Sequence, residues 1–222
     1  WYHCSLPADV RMPLIAAGVI KDPVLADYCR ESEWIEKRAW WFEHTFDSSD
    51  VDLEEDIIEL ILEGLDSRSD IFINGQYIGS HYSVHYPFVY DIKDKIRDGG
   101  NVITVRVSSG LEAVSDQDLS ELNYAVCHGN RQRRKSTGGD ARRAFVRRPQ
   151  YTVGWDWGTQ GHQPAGSSGG ARLEGHKKIA VREVSLHTEE AGEQAKLKLM
   201  LNVENLGFIS SRGRDIQSQN KL

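Results

Sequence analysis

Apolar and polar residues alternate along much of this chain with a period of two. Lys196-Leu197-Lys198-Leu199-Met200-Leu201-Asn202-Val203 alternates almost throughout. Ile103, Val105 and Val107 alternate with Thr104 and Arg106. Such runs predict strands with one face buried and one in water. Ile57 to Leu62, closed by Gly64, is a short, mostly apolar run that predicts a buried strand. Trp40 to Phe46, Phe88 to Ile92, Tyr151 to Val153 and Ile179 to Leu186 predict further strands from their aromatic and β-branched content. Asp70–Ile73 and Gln76–Gly79 flank Asn74-Gly75, a pair that tolerates positive φ and predicts a hairpin. Helical signals are few. Val10 to Ile20 predicts a short helix or turn ending at Gly18, and Leu111 to Tyr124 one or two helical turns. Pro23 makes Lys21-Asp22-Pro23 a turn. His81 to Tyr86 and Gly161 to Gly170 read as loops, and Ile209 to Leu222 as a polar, frayed end.

Short strands joined by Gly-rich turns predict an all-β chain built as a β-sandwich. The hairpin formed by residues 179–186 and 196–203 predicts the start of a second all-β domain, because two strands alone are marginal. Loops gather at the ends of a sandwich, where ligands are met.

Composition narrows the function. A hydrophobic fraction of 39% and six Trp supply a sizeable core. The Trp40-Trp41 pair reads as sheet core rather than as a ligand platform. A net charge of −6 argues against nucleic-acid binding. The basic stretch from Arg131 to Arg148 reads as a solvated loop, with a grip on phosphate or nucleic acid as the alternative. No run of about 18 apolar residues is present to span a membrane. The first residues carry no signal-peptide pattern, which favours the cytoplasm, although the chain starts at Trp1 rather than Met. Cys4, Cys29 and Cys127 are far apart and read as free thiols rather than disulfides or zinc ligands. His81 and His85 have i,i+4 spacing, but their setting predicts a loop rather than a metal-binding helix face. No cofactor motif stands out. Glycoside hydrolysis needs two carboxyl groups about 5–10 Å apart, and no such pair is nominated by spacing.

One stretch carries candidate chemistry. In Gly154-Trp155-Asp156-Trp157-Gly158, two indoles flank a carboxylate and glycines bracket the set. Indoles offer flat apolar plates to the C–H faces of sugar rings. A carboxylate accepts strongly from sugar hydroxyls. Glycines allow a sharp turn and close ligand approach. The alternative is that both Trp residues are core and Asp156 caps a turn.

An ordered set of segments resembles glycoside hydrolase family 2, closest to its β-mannosidases. The set is Gly18-Val19-Ile20-Lys21-Asp22-Pro23, Trp34-Ile35, Trp40-Trp41-Phe42, Glu63-Gly64-Leu65-Asp66-Ser67, Ile71 to Gly79 and Gln150 to Gly158. The resemblance covers residues 1 to about 205 and is most specific at Trp155-Asp156-Trp157. It departs from the family at Thr159, where Pro is usual, and at Ser83-Val84-His85, where Asn and Phe are usual. The resemblance implies a jelly-roll sugar-binding domain over residues 1–175. It further implies that residues 176–222 begin an immunoglobulin-like β-sandwich. It implies that both catalytic glutamates stand on a (β/α)8 barrel further along the polypeptide, leaving no catalytic residue here. Asp156 then corresponds to the aspartate that contacts hydroxyls of a terminal β-linked sugar, with Trp155 and Trp157 shaping the loop. A carbohydrate and the barrel are the implied partners, with no metal and no cofactor. A stand-alone carbohydrate-binding β-sandwich module is the alternative, and it requires an open aromatic platform within the domain.

Overall fold

The alternating segments pair into antiparallel sheets. The structure is a computed structural model, and it describes residues 1–26, 28–121, 142, 145–146 and 166–207. In chain order the strands are β1 (Ala8–Asp9), β2 (Ala39–Asp47), β3 (Ile57–Leu62), β4 (Leu65–Asp66), β5 (Arg68–Ile73), β6 (Gln76–His81), β7 (Phe88–Asp91), β8 (Gly100–Ser108), β9 (Gly166–Ser167), β10 (Ala171–His176), β11 (Ile179–Glu190) and β12 (Lys196–Asn205). Short helices α1 (Arg11–Ala16), α2 (Tyr28–Glu31) and α3 (Asp116–Ser120) interrupt them. Among the described residues no helix is long and apolar enough to cross a membrane.

Two sheets carry the core. One has strand order β2-β8-β5-β6 and the other β10-β3-β7. Inward residues of the first, Phe46, Ile71, Ile73, Ile78, Ile103, Val105 and Val107, form one cluster with Ile58, Leu60, Leu62 and Phe88 of the second. A smaller cluster of Val10, Leu14 and Ile35 packs against the partly buried Ile20, Trp40 and Phe42, and Phe42 also touches the main cluster. Trp40 Nε1 donates to the Ile35 carbonyl at 3.1 Å, so its one polar atom is satisfied on burial.

The Asn74-Gly75 hairpin forms as expected, with φ of 51° and 78° at its two turn residues. Its turn is also tied to a distant one. Asn74 Nδ2 donates to Asn101 Oδ1 at 2.8 Å and to the Lys95 carbonyl at 2.9 Å, while Asn74 Oδ1 accepts from Val102 N at 3.0 Å. The buried Asn101 donates in turn to the carbonyls of Arg97 and Gly99. Local propensity and tertiary bonding therefore agree at this end of the sandwich.

Several expectations are corrected. Residues 161–170 read as loop, but Gly166–Ser167 pairs with both β1 and β4, and β10 follows, pairing with β3. Strands β11 and β12 run past their expected ends, to Glu190 and Asn205. Trp41 read as sheet core, yet it is 49% exposed. It shares the outward register of Glu43 and Thr45, whereas Phe42 and Phe46 point to the core. Strand β12 read as half-buried. In the structure its apolar side chains Leu197, Leu199, Leu201 and Val203 are exposed, as are Val181, Val184 and Leu186 opposite them on β11.

Strand β3 lies between β10 and β7 and is buried on both sides. Its outward Glu59 is only 6% exposed and stands in register with Glu174 on β10 and Asp91 on β7. Like charges placed opposite one another are unfavourable. Arg182 of β11 answers them. Its two terminal nitrogens donate to Glu59 at 2.6 and 2.8 Å, and its Nε donates to Glu204 of β12 at 2.7 Å. The Glu59 hydrogen bonds, followed by those to Glu204, hold the Arg182 pKa above its ordinary value. His176 Nε2 lies 3.2 Å from Glu59 as well. This cluster joins the base of the β11–β12 ribbon to the sandwich.

Removing the guanidinium leaves a buried carboxylate without its bidentate partner. Arg182→Met is expected to lower unfolding free energy by about 3 kcal/mol, read by urea denaturation. Glu59→Met combined with Arg182→Met should recover more than half of that loss. A single Arg182→Met variant as stable as the parent would show that the cluster does not hold the ribbon.

Candidate functional site

Trp155, Asp156 and Trp157 lie outside the described residues, as do Tyr151 to Val153, Cys127 and most of the basic stretch after Arg131. The structure does describe where the chain leaves the sandwich before them and where it returns. It leaves from the end of β8. Ser67 N donates to the Ser108 carbonyl at 3.2 Å, and the buried Ser109 hydroxyl donates to the Glu36 carbonyl. Gly110 then takes φ of 89°, a left-handed conformation that glycine adopts without strain. Leu111 is buried. Downstream, Ser115 accepts from Asp118 N at 3.1 Å while the Asp118 carboxylate accepts from Ser115 N at 2.7 Å. This reciprocal cap starts α3, and the Ser115 bonds hold the Asp118 carboxyl below its usual pKa. Arg142 reaches back to Asp116 at 2.9 Å. Val146 is buried and lies close to Gly110, so the excursion touches the sandwich again before its end.

The return is tighter. Gly158 stands eight residues before Gly166, where β9 begins. Strand β9 is held between β1 and β4. Gly166 has φ of 155°, and a Cβ there would sit 2.0 Å from the Ala8 carbonyl oxygen. Ser167 Oγ donates to the Glu63 carbonyl at 2.7 Å, and Ser168 N donates to the Gly64 carbonyl at 2.9 Å. Gly64, at φ of 64°, admits the close approach of Ser168 and Gly169. Backbone packed against backbone fixes this foot.

Beside it lies a recess of about 180 Å³ lined by Pro7, Ala8, Asp9, Asp66, Gly166, Ser167 and Ser168. Asp9 accepts from Arg11 N at 2.8 Å and pairs with the buried Arg11 guanidinium at 3.3 Å. Sequence reasoning missed this recess, because β1, β4 and β9 each have two residues and carry no periodic signal. No group of three metal-ligating side chains occurs among the described residues. His81 is buried at the end of β6, and its Nε2 bonds the Ser83 and Tyr86 carbonyls at 2.5 and 2.8 Å, so it ties a loop. The chemistry legible at this recess is that of hydrogen bonding to a polar ligand.

The family model described as glycosyl hydrolase 2 galactose-binding domain-like matches residues 1–167. A probable beta-mannosidase of Caenorhabditis elegans is 25% identical over 161 residues, covering 69% of this chain and 17% of its own length. Beta-mannosidase B of Emericella nidulans is 26% identical over 210 residues, covering 93% of this chain and 24% of its own. The crystal structure of a β-D-mannosidase from Dictyoglomus thermophilum superposes with a TM-score of 0.73 at 27% identity, over 91% of this chain and 24% of that one. An exo-chitosanase from Amycolatopsis orientalis shares the fold, with a TM-score of 0.62 at 15% identity over 92% of this chain and 21% of that one. The chain thus spans less than a quarter of these proteins.

The return foot yields a direct test. Gly166→Ala forces a Cβ into the Ala8 carbonyl and strains φ, and should cost at least about 2 kcal/mol. Gly170→Ala, where nothing lies within 4 Å of the added carbon, is the control and should stay within about 1 kcal/mol of the parent. Thermal unfolding of both variants gives the comparison, and equal midpoints would show that the close approach at Gly166 is unimportant.

Proposed function

The chain belongs to the glycosyl hydrolase 2 galactose-binding domain-like family, and from that premise we propose that it is the non-catalytic front of a retaining exo-β-glycosidase acting on terminal β-mannosides. The supporting observation is the run of β-mannosidase relatives aligned with most of this chain. In this reading residues 1–175 are the jelly-roll sugar-binding domain. Residues 176–222 open an immunoglobulin-like sandwich whose later strands cover the apolar face of β11 and β12. Catalysis belongs to two glutamates on a (β/α)8 barrel further along the polypeptide.

Asp156 then reaches from the rim of the sandwich into the glycone subsite and accepts from sugar hydroxyls, while Trp155 and Trp157 shape the loop that carries it. The sandwich contributes position. A carboxylate helps a bound sugar only where it is held within hydrogen-bond reach, and small displacements are costly. The anchored feet at Ser109 and Gly166 serve that placement. A stand-alone carbohydrate-binding module is the second reading, favoured by the exposed rings of Trp41 and Tyr77 on the sandwich surface.

In the full-length polypeptide, Asp156→Ala should lower kcat/KM for an aryl β-mannoside by about 10- to 150-fold, the worth of one charge-assisted hydrogen bond of about 1.5–3 kcal/mol. The 222-residue chain alone should not hydrolyse that substrate. An unchanged kcat/KM would remove Asp156 from the subsite, and family-like turnover by the chain alone would refute its non-catalytic role.

A further inference from the structure

The outer face of the β2-β8-β5-β6 sheet carries three aromatic rings in contact across four strands. Trp41 of β2 and Phe72 of β5 have ring centroids 5.8 Å apart, and Phe72 and Tyr77 of β6 lie 5.6 Å apart. Trp41 is 49% and Tyr77 55% exposed. Two features of the backbone bring the rings together. Between Trp41 and Phe72 runs β8, whose residue opposite Phe72 is the short Thr104, so the two larger rings can meet above it. Between Phe72 and Tyr77 the register shifts. Ile71 faces Gly79 but Phe72 faces Tyr77, leaving Ile78 as the extra residue of a bulge. Without that bulge Phe72 would face Ile78, and Tyr77 would not stand beside it. Bulges commonly re-aim a side chain in this way.

Polar groups on the same face are already fixed. The Tyr77 hydroxyl and Ser80 Oγ are 2.7 Å apart, and Ser80 donates to Asp70 Oδ1 at 2.6 Å. Arg106 pairs with Asp70 at 3.2 Å and with Glu112 at 3.5 Å. Glu43 is exposed in register with Thr104. The surface therefore offers flat apolar faces beside oriented donors and acceptors.

We propose that this strip is a second carbohydrate-docking surface, which binds a neutral oligosaccharide through ring stacking on Trp41, Phe72 and Tyr77. The occupant follows from the chemistry. Each pyranose presents a C–H face to an aromatic ring and hydroxyls to the groups around it. Carboxylates of Glu43, Asp70 and Glu112 outnumber Arg68 and Arg106 on this face, so an anionic polymer is disfavoured and an uncharged, hydroxyl-rich one is accepted. The centre of a protein-protein contact is depleted of charge, whereas here charged side chains stand among the rings. Rings spread over four strands match several linked sugars better than one. The surface uses no residue of 154–158 and does not depend on the role given to Asp156.

The test titrates the 222-residue chain with β-1,4-mannohexaose and with cellohexaose, following heat and amide chemical shifts. Either sugar should give a saturable signal below about 10 mM, weakened about tenfold or more by Trp41→Ala and by Tyr77→Ala. Both positions are exposed, and unchanged thermal midpoints verify that the variants fold. Asp156→Ala should bind these sugars as the parent does. Absence of saturation with both sugars overturns the proposal. So does binding that survives Trp41→Ala and Tyr77→Ala but is lost in Asp156→Ala, an outcome that leaves the subsite reading standing. Sedimentation that finds a dimer dispersed by Trp41→Ala also overturns it, by naming a second copy as the occupant.

Discussion

Strand β3 has no face in water, and the rest of the structure is arranged by that constraint. On one side Ile58, Leu60 and Leu62 complete the sandwich core. On the other, Glu59 is placed where a carboxylate is expensive to bury unless paired. The sequence supplies the pair from far away, at Arg182, and Arg182 in turn collects Glu204. One buried charge in the sandwich thereby fixes where the next ribbon begins. Apolar contact is permissive about orientation, whereas a bidentate guanidinium–carboxylate pair accepts few geometries. The junction is therefore specified by its polar atoms more than by its area.

Residues with strong local instructions were legible in the chain. Asn74-Gly75 demands a turn, and the alternation of Ile103, Val105 and Val107 demands a two-faced strand; both formed as read. The strands β1, β4 and β9 were illegible because nothing local makes them. They exist because Gly166 lets the chain pass within contact of Ala8 and because Gly64 lets Ser168 pass. Strand β10 was hidden by its flanking glycines and by the exposure of both its arginine and its alanine. The inward-outward register of Trp41 was legible from Glu43 and Thr45, but the prior that tryptophan belongs in a core outweighed it. For the candidate site, chemistry nominated Asp156 and resemblance gave it a role. Neither could draw the frame around it, because that frame is built from contacts between residues more than 100 positions apart, such as Ser168 N with the Gly64 carbonyl.

The exposed apolar ladder of β11 and β12 and the exposed aromatic strip of β2, β5 and β6 are different kinds of surface. The ladder is mainly aliphatic, with Val181 opposite Val203, Val184 opposite Leu201 and Leu186 opposite Leu199, and with Thr188 opposite Leu197 at its far end. Aliphatic side chains in period two, without charged groups among them, suit contact with another sheet. The strip mixes rings with a hydrogen-bonded chain from Tyr77 through Ser80 and Asp70 to Arg106. Burying it against a sheet would strip those polar atoms of water without offering them partners.

A long excursion between Ser109 and Gly166 is thermodynamically tolerable, because the cost of closing a loop grows only slowly with its length. Precision is the harder requirement, and length works against it. The sandwich addresses this by clamping the ends with the least adjustable contacts available, carbonyl against glycine at Gly166 and serine hydroxyls against the Glu36 and Glu63 carbonyls. Val146 adds a third point of attachment at Gly110. Such anchoring would be wasted on a loop whose only duty was to connect β8 to β9. In the reading proposed above, it serves to hold the Asp156 carboxylate in place.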